Sequence, residues 1–417
     1  MLSETTKLLR TTLAFGEDYL KIVGQIGNFT KEITGMSIID SYFGPENLSQ
    51  EKAGMRSDPE KLLMDLDLLI GRAKDINDAL RRIAITNDLE SLKVVVRWLS
   101  GEDIPYVHLV EGLFGITPRK FAQSEIRRAQ QTVEDACTGL PGSDVSEKIL
   151  KWEEENEISG EALKKVIDTE VVQCTQEIEG GFAKHVFGHL STKVKNKGVI
   201  YKTTTGESWG AYSCYQGNYT SVHIFNLDMP TNKYWLTWTL GHEYEHHVAS
   251  LFRERYYRHN KSLDLTAILV HTKQTIISEG TASCAKNFLD LQSRREDLGF
   301  MEPLADLQDM ISLNVAYMLN VEGVDDETAT EYGASESFAP IARARTLLGF
   351  VKPLTPEGKP NFFKPYIYTY FIGRRDYVLP TFQEAKKKDN LKEFFQILYL
   401  NPYSRSTATW KTAFSKI

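Results

Sequence analysis

Two histidines four residues apart, with a glutamate after the first, constrain this chain more than any other feature: His242-Glu243-Tyr244-Glu245-His246. On a helix, residues i and i+4 share a face, so both imidazoles can reach one tetrahedral ion while Glu243 projects beside them. The approach is apolar, through Tyr234, Trp235, Leu236, Trp238 and Leu240, which brings the pair into the helix from a buried region. Buried histidines need partners, and a metal ion is the partner this spacing fits. The expected helix runs from Tyr234 to about Tyr257.

Such a site needs a third protein ligand. Ile276-Ile277-Ser278-Glu279-Gly280-Thr281-Ala282-Ser283 sets one acid in a small, apolar stretch, and a buried carboxylate must be paired or bound to a cation. Glu279 is therefore the expected third ligand, on a long helix from Leu263 to Leu291. Its small neighbours would let that helix pack closely on the histidine helix. A salt bridge is the alternative role for Glu279, and His271 is the alternative ligand. Glu243 would take a proton from a water polarised by the ion. His247 lies about 100° round the helix from His246 and is expected beside the site or facing substrate, not ligating. Glu245 stands where zinc peptidase helices usually carry an uncharged residue.

The rest of the chain reads as mainly α with a small antiparallel β-sheet. Asp58-Pro59 opens a helix by capping and by proline at its first position, followed by a stripe from Leu62 through Leu66, Leu69, Ala73, Ile76 and Leu80 to Ile83. Further helices are expected over 89–99, 125–137 and 160–185. Val199–Thr204 is β-branched and strand-like, and Tyr212–Asn226 reads as two strands around a Gly217-Asn218 turn. Val222, Ile224 and Asn226 alternate with His223 and Phe225, the pattern of a half-buried strand. A helical domain over 1–190 and a catalytic domain over 191–417 are the expected division.

Net charge of -7 and a pI near 5.8 argue against nucleic acid as a partner. Four scattered cysteines form no CxxC pair, the first residues lack the apolar core of a secretory signal, and no stretch is apolar for long enough to cross a bilayer. Cytoplasmic location, with no membrane partner, is the expectation.

His242, Glu243, His246 and Glu279 resemble, residue by residue, the gluzincins, metallopeptidases with HExxH and a glutamate ligand on a following helix. The helical content looks closest to the carboxypeptidase Taq and oligopeptidase F type. Asp40-Ser41-Tyr42-Phe43-Gly44-Pro45, Gly101-Glu102-Asp103-Ile104-Pro105-Tyr106 and Ser278–Ala282 resemble a group of uncharacterised bacterial and archaeal metallopeptidases. Ser283 occupies the place of the aspartate that follows the thermolysin-type ligand. The resemblance implies a zincin-like architecture, one Zn2+ per chain and a peptide substrate, with the strand Tyr219–Asn226 offering a free edge to an extended peptide. An ordinary hairpin is the other reading of that strand. The resemblance also implies an oxyanion donor and a carboxylate-binding arginine late in the chain. Tyr370 and Arg374, four apart after Tyr366 and Tyr368, are the candidates, against a core aromatic stripe with a surface arginine. The expected activity is hydrolysis of short peptides; alternatives are a zinc hydrolase of a non-peptide amide or ester, and a zinc-binding protein without catalysis.

Overall fold

The computed structural model describes residues 4–48, 58–207, 209–291 and 299–417, and it is mainly helical with two small sheets. The N-terminal half is helix after helix: α1 (Glu4–Thr34), α2 (Pro59–Ala73), α3 (Ala79–Leu99), α4 (Tyr106–Phe114), α5 (Gln123–Ala136), α6 (Val145–Asn156), α7 (Gly160–Thr169) and α8 (Val171–His185). Asp58 caps α2 as expected, accepting from the Glu60 and Lys61 amides. The stripe read as one helix is two. Leu62, Leu66, Leu69 and Ala73 are buried, and the chain then breaks before Asp78 caps α3.

Strand β1 (Ile39–Tyr42) lies between α1 and α2 in the chain, and β2 (Val199–Thr204), β3 (Ala211–Gly217) and β4 (Thr220–Asn226) follow α8. The three-stranded sheet has the order β2-β4-β3, with β2 parallel and β3 antiparallel to β4, so it is mixed and not purely antiparallel. The β3–β4 turn forms at the expected place. Gly217, Asn218 and Tyr219 all take left-handed backbone angles. The buried Glu254 carboxylate accepts the Asn218 amide at 3.2 Å and the Tyr219 amide at 3.0 Å.

The long helix α9 (Lys233–Asn260) starts at Asn232, whose side chain accepts from the Tyr234 and Trp235 amides. The single helix expected over 263–291 is instead a 3-10 turn at Leu263–Thr266, the strand β5 (Ala267–Leu269), α10 (Lys273–Ser283) and the short α11 (Ala285–Phe288). β5 pairs antiparallel with β1, so the segment leaves the helical path to close a sheet with residues more than 200 positions away. Later come α12 (Met301–Tyr317), α13 (Asp326–Ser337), α14 (Ile341–Val351), α15 (Tyr368–Ile372), α16 (Leu379–Lys387) and α17 (Leu391–Leu400). One apolar cluster runs from Phe15 to Ile417 and crosses the change of texture near residue 190. No helix among the described residues is long and apolar enough to span a membrane.

Candidate metal centre

His242 and His246 sit one turn apart on α9, and Glu279 reaches them from α10. The His242 and His246 Nε2 atoms are 3.2 Å apart, and Glu279 Oε2 lies 3.3 Å from the first and 3.6 Å from the second. Ligand bonds of about 2.0–2.1 Å at tetrahedral angles put neighbouring donors about 3.3–3.4 Å apart, so this triangle has the size of one face of a zinc tetrahedron. Glu279 Oε2 is buried and has no hydrogen-bond partner, while Oε1 accepts from the Tyr366 hydroxyl at 2.7 Å. One carboxylate oxygen is thus oriented by a donor and the other is left for a cation, the arrangement expected around a ligating acid. Among the described residues this is the one group of three His, Cys, Asp or Glu side chains placed to hold an ion.

The electrostatics follow from burial and proximity. Burial opposes the charge on Glu279, yet the two imidazoles outweigh it and hold the carboxyl well below its usual range. Burial likewise works against a proton on His246, and the facing Glu279 reverses the balance, lifting it to about 9. Glu243 lies between the histidines in sequence, 7% exposed and lining the same cavity, and burial pushes its carboxyl up.

The neighbours of the motif have structural work. His247 is fully buried, with Nδ1 2.8 Å from Ser221 Oγ and Nε2 2.9 Å from Asn196 Oδ1. It ties α9 to β4 and does not line the cavity beside the triangle. Glu245 accepts from the Tyr399 hydroxyl at 3.1 Å and from Arg405 at 3.1 and 3.3 Å, a buried pair that accounts for a charge at this position. His271 is not a ligand. It takes a left-handed conformation just before α10, and its ring lies in an aromatic box, 4.3 Å from Phe362 and 5.8 Å from Phe114 and Tyr366 between ring centroids.

The late tyrosines divide. Tyr366 orients Glu279, a role not assigned from the sequence. Tyr370 lines the cavity with its ring 6.3 Å from that of His242, whereas Tyr368 packs away from it against Tyr106. Arg374 does not face the site. It donates to Glu302 at 3.2 Å and pairs with Asp306, both on α12. The i, i+4 argument fails because the helix changes pitch after Tyr370: Gly373–Val378 forms a π-helical turn, so Arg374 departs from the face predicted for an α-helix. The smallest neighbour of Glu279 serves a different contact from the one expected, although α10 does pack on α9. Gly280 meets Gly373, not α9; a Cβ on Gly280 would lie 2.3 Å from the Gly373 carbonyl carbon. That crossing seats the tyrosine segment against Glu279.

A cavity of about 450 Å³ opens on the triangle. Its wall includes β3, which like β2 is an edge of the sheet, met at Tyr215 by β1, where Ser41 Oγ accepts the Tyr215 amide at 3.1 Å. β4, expected to offer an edge, is the central strand and is buried on both faces, not half-buried. The ladder bonds Tyr212 to Ile224 and Cys214 to Val222, which turns the main-chain groups of Ala211 and Ser213 away from β4, and both residues line the cavity. Asp40 lines it too. It sits at a bulge where two residues of β1 oppose one of β5, and it accepts from the Tyr212 hydroxyl at 3.0 Å. Burial pushes its carboxyl up to about 6 despite that hydroxyl. The sequence signal for Asp40 was its place in the Asp40–Pro45 segment, which carried a resemblance but no role.

No protein-family model matches the chain, and no curated protein matches it. Solved structures share its fold, two of them as follows. One, described as a putative lipoprotein from Colwellia psychrerythraea, superposes with a TM-score of 0.55 at 14% identity, over 89% of this chain and 66% of that one. The other, described as a putative lipoprotein of unknown function from Shewanella oneidensis, gives 0.50 at 15% identity, over 86% and 72%. The chain thus spans about two thirds of the Colwellia protein, and at these identities the likeness is one of fold alone.

Proposed function

We propose that this chain is a zinc-dependent peptidase of gluzincin type with a zincin-like catalytic arrangement, in which His242, His246 and Glu279 hold one Zn2+ and Glu243 is the general base. The observation that carries the reading is the triangle of donor atoms opening on a cavity with Glu243 in its wall. When bound, zinc would polarise a water and the scissile carbonyl. Glu243, its proton affinity raised by burial, takes the water's proton and returns it to the leaving amine. Tyr366 keeps Glu279 in its ligating orientation. Tyr370, whose hydroxyl has no protein partner among the described residues, is the donor for the developing oxyanion. The free edge of β3 at Ala211 and Ser213 fits an extended peptide by main-chain pairing. The four free cysteines favour a reducing compartment, hence the cytoplasm; the structural neighbours described as lipoproteins make cell fractionation the check on that placement.

Digestion of a mixed peptide library by the zinc-loaded protein, with Glu243→Gln as the blank, tests the reading. The blank should keep one zinc per chain and lose turnover by roughly 100-fold or more. Equal cleavage by both would sink the mechanism, and no cleavage by zinc-loaded wild type would sink the peptidase reading.

A further inference from the structure

The cavity carries more negative charge than the proposed metal and base use. Two arginines line it, and both are committed to the protein. Arg253 donates to the carbonyls of Leu265 at 2.7 Å and Ala267 at 3.1 Å, and to Gln274 Oε1 at 3.1 Å. Arg405 is held by Glu245. Two aspartates line it with no ion-pair partner among the described residues. Asp88, on α3, is 2% exposed; one oxygen accepts from the Gln274 amide, and Oδ1 is buried with no hydrogen-bond partner. Lys273, the nearby lysine, donates instead to Asn87 at 2.7 Å. Asp40 accepts only from hydroxyls, Tyr212 at 3.0 Å and Ser41 at 3.4 Å.

A buried acceptor without a donor costs about 1–3 kcal/mol, more when charged. The missing complement is a cation that brings several N–H donors. A second metal ion does not fit, since no other cluster of ligating side chains exists among the described residues. A protonated amine, with three donors on one compact charge, does. Asp40 lies within the electrostatic reach of His246 and Glu279, whereas Asp88 answers to Arg253 and Lys273. The bulge in β1 is the device that re-aims Asp40, as bulges beside active sites do.

We infer that Asp40 and Asp88 form the subsite for a primary ammonium of the substrate, so that the chain selects peptides carrying that charge near the scissile bond. The inference rests on the peptidase reading for its substrate class. The ammonium has two sources, a free peptide N-terminus or a lysine side chain.

Three peptides separate the outcomes on the zinc-loaded protein: tetra-alanine amide, its N-acetylated form, and an N-acetylated amide with one lysine. Blocking the only ammonium should lower kcat/KM roughly 10- to 100-fold, the loss typical of an unpaired buried charge. Recovery with the lysine peptide would assign the charge to a side chain, and no recovery would assign it to the N-terminus. Asp40→Asn and Asp88→Asn, close in shape to the originals, should each cost about tenfold more on a charged peptide than on the neutral one, mainly in KM. A neutral peptide cleaved as well as the charged ones, or equal losses on both in the two variants, overturns the subsite and leaves the peptidase standing. If wild type cleaves none of the three, the peptidase reading fails. Calorimetry with n-butylammonium then decides the subsite alone: binding weakened in Asp40→Asn supports it, while absent or unchanged binding overturns it.

Discussion

Replacing Gly373 with alanine should loosen the metal site from a distance. The new Cβ would lie 1.9 Å from the Ile276 carbonyl oxygen, 2.9 Å from Gly280 Cα and 3.0 Å from its amide nitrogen. All three are backbone atoms of α10, so no side chain can swing aside. The two segments must separate by about 1.5 Å to restore ordinary contact, and overpacking of this kind costs about 1–3 kcal/mol. Alanine regains about 0.5–1 kcal/mol of helix propensity, which leaves a net loss of up to about 2.5 kcal/mol and about 1 kcal/mol at mid-range. The displaced segment follows Tyr366, which orients Glu279, and loss of such a partner typically weakens metal affinity 10- to 100-fold. Urea unfolding and zinc competition against a chromogenic chelator read the two effects. Gly349→Ala is the internal control: this exposed glycine in α14 has open space around it and should gain about 0.4–1 kcal/mol. Wild-type stability and zinc affinity in Gly373→Ala would refute the argument that this crossing positions the ligand.

Other consequences are open to direct measurement. His223 is fully buried without a hydrogen-bond partner, and burial depresses its pKa from 6.5 to about 3. The unfolded chain therefore binds the extra proton first, and stability falls as pH drops below about 6.5. His223→Phe removes that loss, so its stability relative to wild type should improve by about 2 kcal/mol between pH 7.5 and pH 5 in parallel denaturation series; a constant difference would contradict it. Arg405→Met strands the buried Glu245 carboxylate and should cost about 3–5 kcal/mol by urea titration, whereas a change below 1 kcal/mol would mean the pair is not buried as described. Removing zinc with a chelator should lower Tm in wild type and leave it unmoved in His246→Ala; an equal drop in both would place the ion elsewhere.

What could be read in advance was whatever depends on local spacing. The run through α9, the paired histidines, and an acid set among small apolar residues at Glu279 all stand where a helical period puts them. Long-range pairing was hidden. Residues 263–291 carry a helix-compatible pattern, but β1 recruits Ala267–Leu269 into a sheet, and nothing nearby announces that partner. Arg374 was misplaced because a π turn changes the pitch between it and Tyr370, and pitch is not visible in residue type. The alternation in β4 does not tell an edge from a centre, because strand order is a property of the whole sheet. Tyr366 escaped because its role depends on where Glu279 lies, 87 positions away in sequence.

The bulge in β1 has a consequence for how such a site can change. On the reading given above, the parts that would perform the reaction lie between residues 242 and 370, while Asp40 and Asp88 come from the first hundred. On that reading, choice of substrate and chemistry are written in separate stretches of the chain. A one-residue deletion that erased the bulge would turn Asp40 to the other face of its strand, altering diet while every ion holder stayed in place.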